Sequence, residues 1–149
     1  MRSYGIYRVK ERYQSYIIGR ERQLYDLLKK DGRRAVDQQQ IHYLCEHLEE
    51  ELIDSAIISN LERGFTTMEQ MDGAYRLTHP VKGSISITLS SHALHVNCDG
   101  SRMLDLDLFV ALSASDDRFF AIMDDRREWG WLKPVKTADF GFGGETVSL

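Results

Sequence analysis

Residues 3–28 read SYGIYRVKERYQSYIIGRERQLYDLL, and the organisation of the whole chain follows from this stretch. Residues 3–9 are rich in Tyr, Ile and Val but alternate only weakly, which predicts a central strand with both faces partly covered. Residues 10–18 form a link with room for one helical turn. Gly19 then interrupts the chain, and residues 20–30 show the apolar spacing and the basic C-terminal end of a helix.

The link carries more large side chains than one core face can accept. Tyr13, Tyr16, Ile17 and Ile18 fall within six residues, so some of them must face the solvent whatever the local structure. We expect Tyr16 and Ile18 to point inward and to tie the link to the sheet. Tyr13 and Ile17 are then the outward pair, four residues apart on a helical turn, and Gly19 sets the turn that presents them.

Basic residues flank this outward pair. Arg12 precedes Tyr13, and Arg20 follows the glycine. An exposed aromatic cluster beside arginines is typical of a protein-binding surface, and the arginines would complement an acidic partner at its rim. The alternative is that Tyr13 packs on the first helix of its own chain.

The remaining chain predicts an α+β fold. A helix begins near Asp37 and either bends or restarts near residues 54–55, residues 65–73 form a loop, and the period then changes from helical to two. Strands are predicted over 74–78, 84–89, 93–98, 119–123 and around Trp129 and Trp131, with a helix over 103–112. We therefore expect a mixed or antiparallel sheet of about five strands with three to four helices packed on it, in the order β-α-α-(α)-β-β-β-α-β.

The bulk properties are those of one soluble domain. The 149 residues predict a single domain over 1–136 and a flexible, glycine-rich C-terminal tail over 137–149. A net charge of −4 argues against general nucleic-acid binding. No secretory signal and no membrane-spanning apolar run is visible, so we expect a cytoplasmic protein in which Cys45 and Cys98 are reduced thiols.

The densest group of chemically active side chains is His42, Cys45 and Glu46. On one helix face they would suit a small metal-dependent or other hydrolytic enzyme, because His42 and Glu46 lie four residues apart. A solvated acidic helix face is the favoured interpretation, since neither HExxH nor CxxC occurs. A small-ligand sensor with its pocket between helices and sheet is a weaker alternative. We therefore predict no catalytic residue, no metal ligand and no cofactor.

Two segments resemble a known family. The opening strand, the aromatic link and Gly19-Arg20-Glu21 are similar to the start of the SirA family, the sporulation inhibitors of replication, whose link ends in GRE. The sequence WGWLKPVK, residues 129–136, resembles that family's ending, Y/W-G-W-L-x-P-V-K. The order of elements between these segments is also similar, whereas the tail after Lys136 runs past the typical family end.

The resemblance implies an interaction protein and not an enzyme. Members of the family bind the N-terminal domain of the replication initiator DnaA and hold back initiation as a cell commits to sporulation. The family's DnaA-facing aromatic residue falls on Tyr13, and its second apolar contact falls on Ile17, where the family often has an aromatic ring. The predicted partner-binding residues are Tyr13, Ile17, Arg12, Tyr16 and Arg20. No direct contact with nucleic acid, membrane or a small-molecule substrate is expected.

Overall fold

A seven-stranded antiparallel sheet forms the centre of the computed structural model, which describes residues 1–29, 34–123 and 125–133. The elements in chain order are β1 (Arg2–Arg8), α1 (Glu11–Ile17), α2 (Glu21–Lys29), α3 (Ala35–Leu44), α4 (Glu50–Asn60), a short 3-10 helix (Glu62–Gly64), β2 (Thr67–Met71), β3 (Ala74–His79), β4 (Gly83–Leu89), β5 (Leu94–Gly100), α5 (Met103–Ser115), β6 (Phe119–Met123) and β7 (Trp129–Trp131). The strand order across the sheet is β2-β3-β4-β5-β1-β6-β7.

The first strand lies inside the sheet, as its weak alternation predicts. β1 pairs with β5 on one side, where Gly5 lies opposite His95, and with β6 on the other, where Gly5 lies opposite Ile122. Its side chains enter both cores, with Ile6 on one face and Tyr7 on the other. Both faces are covered because helices pack on each side of the sheet at this strand.

Two hydrophobic cores form, one on each face of the sheet. On the first face, α4 and α5 cover the apolar side of β3, β4, β5, β1 and β6. On the second face, α1, α2 and α3 contribute Ile17, Leu24, Tyr25, Leu28 and Ile41 to a smaller core over Tyr7, Phe120, Ile122 and Trp131. The polar residues of β4 and β5 on this second face stay half-buried or exposed. The α1–α3 layer is therefore confined to the β1-β6-β7 side of the sheet.

The structure confirms the α+β class and corrects the predicted counts. The described ranges contain seven strands where about five were expected, and five α-helices where three to four were expected. The link over 10–18 is a two-turn helix, α1. Residues 65–73 were predicted to be a loop, but they contain β2, which pairs with β3 at the sheet edge. β2 is mostly exposed, so it lacks the apolar alternation from which strands are recognised.

The helix predicted from Asp37 onward is interrupted earlier than expected. α3 ends at Leu44, residues 46–49 lie outside regular secondary structure, and α4 begins at Glu50. Cys45 forms a β-bridge with Val9, and the backbone N–H of Glu46 donates to the carbonyl of Arg8 at 2.7 Å. Long-range hydrogen bonds to the end of β1 thus replace the helical hydrogen bonds that the spacing of apolar residues in this segment predicts.

Several smaller predictions concern the chain's cysteines and its C-terminal end. Cys45 and Cys98 are not joined in a disulfide, and both side chains are buried. Trp129 and Trp131 face the same side of the sheet, as predicted. The predicted tail over 137–149 lies outside the described residues. Within the described ranges, none of the helices combines the length and the apolar character needed to cross a membrane.

Candidate protein-binding site

An open groove runs between α1 and α3 on the outer side of the second core. Its volume is about 540 Å³, and its lining is almost entirely apolar or aromatic. The lining side chains are Tyr13, Tyr16, Val36, Gln39, Gln40, Tyr43 and Leu44. We call this feature the aromatic groove.

Three tyrosines give the aromatic groove its character. The rings of Tyr13 and Tyr43 lie with their centroids 5.0 Å apart and tilted by 32°. The polar interaction with the Tyr43 side chain raises the pKa of Tyr13. Tyr16 is 55% exposed and Tyr43 is 61% exposed. Large aromatic side chains that stay so open are uncommon on a protein without a partner, whereas they are enriched at protein interfaces.

Two arginines hold the tyrosines of α1. The guanidinium of Arg20 lies 4.2 Å from the centre of the Tyr16 ring and donates a hydrogen bond to the Tyr16 carbonyl at 2.8 Å. The guanidinium of Arg12 lies 5.1 Å from the centre of the Tyr13 ring. Each arginine therefore restricts a ring while keeping its charge at the solvent-exposed rim.

The structure brings together four of the five predicted site residues and corrects the orientation of two. Ile17 was predicted to face outward, but it is only 3% exposed and packs in the second core. Tyr16 was predicted to face inward, but it is exposed. Because neighbours on a helix differ in direction by about 100°, only one of these two can face the sheet. Tyr13 lies between the two directions and is half-buried, and Ile18 packs against the second core as expected.

Five of the seven side chains that line the aromatic groove come from α3, which was not predicted to be part of the site. Val36, Gln40 and Tyr43 follow each other at spacings of four and three, which places them on one helix face. The buried Ile41 points away from that face into the core. This second stripe was a detectable signal, but its proximity to α1 depends on long-range packing.

A buried carboxylate fixes the turn between α1 and α2. Gly19 has φ 91, a left-handed conformation that favours glycine. Its N–H donates to Glu21 Oε1 at 2.8 Å, and the indole Nε1 of Trp131 donates to Glu21 Oε2 at 3.1 Å. Glu21 is 4% exposed. The turn that ends α1 is thus fixed against β7, and the ring of Trp129 in the same strand stacks on Tyr25 at 4.6 Å.

The alternative site on a His42, Cys45 and Glu46 helix face does not form. Cys45 is fully buried, and Glu46 lies beyond the end of α3, where it pairs with Arg118 at 3.3 Å. His42 stacks on His92 with ring centroids 3.9 Å apart. Among the residues described, no three or more His, Cys, Asp or Glu side chains are grouped as metal ligands. The hydrolase hypothesis assumed that these three side chains share one helix face, and this assumption is therefore wrong.

Comparisons with known proteins match almost the entire chain. The sequence profile of the family described as sporulation inhibitor of replication protein SirA matches residues 2–136. A curated protein from Bacillus subtilis (strain 168), the "Sporulation inhibitor of replication protein SirA", is 24% identical over 147 residues. That alignment spans 93% of this chain and 98% of the relative. The matched range includes both helices of the aromatic groove and the Glu21–Trp131 contact.

Proposed function

The chain belongs to the SirA family of sporulation inhibitors of replication, and we propose that it inhibits initiation by binding the N-terminal domain of DnaA. The proposed contact surface is the aromatic groove. The observation that supports it most strongly is the exposure of Tyr16 and Tyr43 on either side of a depression of about 540 Å³. A groove of this kind suits one apolar side chain, or a short ridge, of a partner protein.

Tyrosine is well suited to the centre of such a contact. It offers a large apolar area and a hydroxyl group, and it has few rotatable bonds to immobilise on binding. Tyr16 is already held by Arg20, and Tyr13 by Arg12 and Tyr43. Because these rings are restricted before binding, less conformational entropy is lost when the partner docks.

The charges around the groove indicate the charge of the partner surface that would fit it. Arg12 and Arg20 are exposed at its rim. Surface arginines attract and orient acidic surfaces, and their contribution falls as salt concentration rises. We therefore propose that the DnaA surface combines an apolar centre with carboxylates at its edge.

Ile17 supports the surface without forming part of it. Its side chain fills the second core behind α1, so its contribution is to hold the helix that carries Tyr13 and Tyr16. The proposed contact residues are therefore Tyr13, Tyr16, Arg12 and Arg20, with Tyr43 added from α3. As an inhibitor of chromosome replication, the protein would act in the cytoplasm, and binding of this kind requires no cofactor.

Calorimetric titration of the purified DnaA N-terminal domain tests the proposal. Tyr16→Ala is expected to weaken binding by roughly 30-fold, the loss of about 2 kcal/mol that is typical of an interface hot spot. Met71→Ala is the matched control, because Met71 is 79% exposed on the distant β2 strand. Equal binding by wild type and a Tyr13→Ala/Tyr16→Ala double variant would remove the aromatic groove as the site. No binding by wild type would remove the proposed function.

A further inference from the structure

A second exposed apolar surface lies on α5, on the opposite face of the sheet from the aromatic groove. Met103, Leu106 and Val110 are 50%, 53% and 66% exposed. Together with the exposed Ala114 they follow one another at spacings of three and four, so they form one stripe along the helix. We call it the α5 stripe.

The inner side of the same helix is apolar as well. Leu104, Leu108, Phe109, Ala111 and Leu112 are buried in the core that α5 forms with α4 and the sheet. The solvent-facing side of a helix is normally polar, whereas the side of α5 that faces away from the sheet and α4 carries the large apolar side chains of the stripe. The α5 stripe is not explained by the core of its own domain, and it requires a further occupant.

We propose that the occupant is α5 of a second copy of this chain, packed antiparallel about a two-fold axis. In that arrangement the large Met103 side chain lies opposite the small Ala114 of the other copy, and Leu106 lies opposite Val110. Both contacts occur twice by symmetry, which is the requirement for a surface that pairs with itself. The pairing also sets the two helix dipoles antiparallel.

The charges at the ends of α5 complement each other in the same arrangement. The side chains of Arg102, just before the helix, and Asp117, just after it, are exposed and have no ion-pair or hydrogen-bond partner among the described residues. Antiparallel packing brings the start of each helix beside the end of the other. Each Arg102 then reaches towards the Asp117 of the other copy, which gives two reciprocal ion pairs.

The charged residue that borders the α5 stripe is paired within its own chain. Lys82 pairs with Asp107 at 3.0 Å beside Val110. No unpaired like charges are therefore forced together when two stripes meet. This inference does not depend on DnaA binding, because α1 and α3 lie on the other face of the sheet. A dimer would present two aromatic grooves.

Sedimentation velocity of the full-length protein tests the proposal, over a range from about 1 µM to about 200 µM, where small interfaces dissociate. Wild type is expected to shift from monomer to dimer. Leu106→Glu is expected to raise the dimer dissociation constant by at least about tenfold, because each dimer would bury two unpaired carboxylates. Met71→Glu is the matched control and should dimerise as wild type does, since Met71 is 79% exposed on β2, away from α5.

Charge reversal separates this geometry from non-specific association. Arg102→Asp and Asp117→Arg should each weaken the dimer, and the variant that carries both should recover it. A wild-type protein that remains monomeric overturns the proposal and leaves the stripe to another protein or to residues 134–149. A Leu106→Glu variant that dimerises like wild type, or a double reversal that does not recover, overturns it equally. A circular dichroism spectrum and a urea unfolding midpoint equal to those of wild type would show that Leu106→Glu is folded.

Discussion

Glu21 and Trp131 join the two ends of the described chain through a buried hydrogen bond of 3.1 Å. Glu21 belongs to the Gly19-Arg20-Glu21 segment and Trp131 to the Trp129-Gly130-Trp131 segment, which are the two parts of the sequence that most resemble the SirA family. The physical reason for their joint presence is now clear. The Glu21 carboxylate accepts a hydrogen bond from the turn that follows α1 and another from the indole N–H in β7. Each of the two segments therefore depends on the other.

Glu21→Ala should destabilise the protein substantially. It removes the acceptor of the exposed Gly19 N–H and leaves the buried indole N–H of Trp131 unsatisfied, and the expected loss in free energy of unfolding is about 2–3 kcal/mol. Arg22→Ala changes the exposed neighbour and should stay within about 0.5 kcal/mol of wild type. Urea unfolding followed by tryptophan fluorescence measures both. A Glu21→Ala protein as stable as Arg22→Ala would show that the contact contributes nothing.

Gly19→Ala tests the left-handed turn alone. No other atom lies within 4 Å of the position that the new Cβ would take, so any loss comes from the backbone φ of 91 and not from a clash. The expected cost is about 1–2 kcal/mol. Gly64→Ala is the control, since its site is equally open but its φ is not positive. Similar unfolding midpoints for the two variants would contradict this explanation.

Stability should fall as the solution is acidified below pH 4. Burial alone would raise the pKa of Asp105, but hydrogen bonds from Arg2 and Tyr4 outweigh it, and the net pKa lies below the ordinary value. The unfolded chain then binds more protons than the folded one near pH 4 and below. The stabilisation is complete above the unfolded pKa of about 4 and is lost as the pH falls through the folded value.

Urea titrations between pH 7 and pH 3 measure this effect. Asp105→Asn should be less stable than wild type at pH 7, and its stability should change less between pH 5 and pH 3. The exposed Asp125 serves as the control site, and Asp125→Asn should retain the wild-type slope. If the free energy of unfolding of Asp105→Asn changed with pH as steeply as that of wild type, other residues would be the cause of the acid sensitivity.

The two thiols should be inert in the folded protein. Cys45 and Cys98 are both 0% exposed, and burial with the nearby Asp105 raises the pKa of Cys98 to about 12. Because the thiolate is the reacting form, neither thiol should react with Ellman's reagent at pH 8 until the protein is unfolded in guanidinium. Rapid labelling of the native protein at either position would show that the surrounding core opens readily.

The strands that were predicted best are those in which the order of apolar and polar residues matches the order of buried and exposed positions. β4 and β5 alternate between buried and open positions, and β1 lacks alternation because both its faces are covered. β2 was missed because it is an exposed edge strand. The dipeptide Asp72-Gly73, a strong hairpin signal with Gly73 at φ 70, was the one indication that it pairs with β3.

The sequence predicted which residues of α1 lie together, but not which of them face outward or what α3 adds beside them. Tyr13, Tyr16, Arg12 and Arg20 are adjacent in the chain, so their grouping followed from local sequence. The choice between Tyr16 and Ile17 as the outward residue did not, because both are large and only the docking of α1 on the sheet decides between them. Tyr43 joins the groove through the packing of α3 beside α1, which no local pattern specifies.

The central position of β1 has a consequence for synthesis of the protein. β1 leaves the ribosome before both of its neighbours in the sheet, β5 and β6, whose last residues are Gly100 and Met123. At roughly 5–20 residues per second, that delay lasts several seconds or more. During this time Ile6 and Tyr7 have no sheet to enter and are available to chaperones. α1 therefore gains its docked position only after β6 and β7, against which its core residues and the turn that follows it pack, have been synthesised.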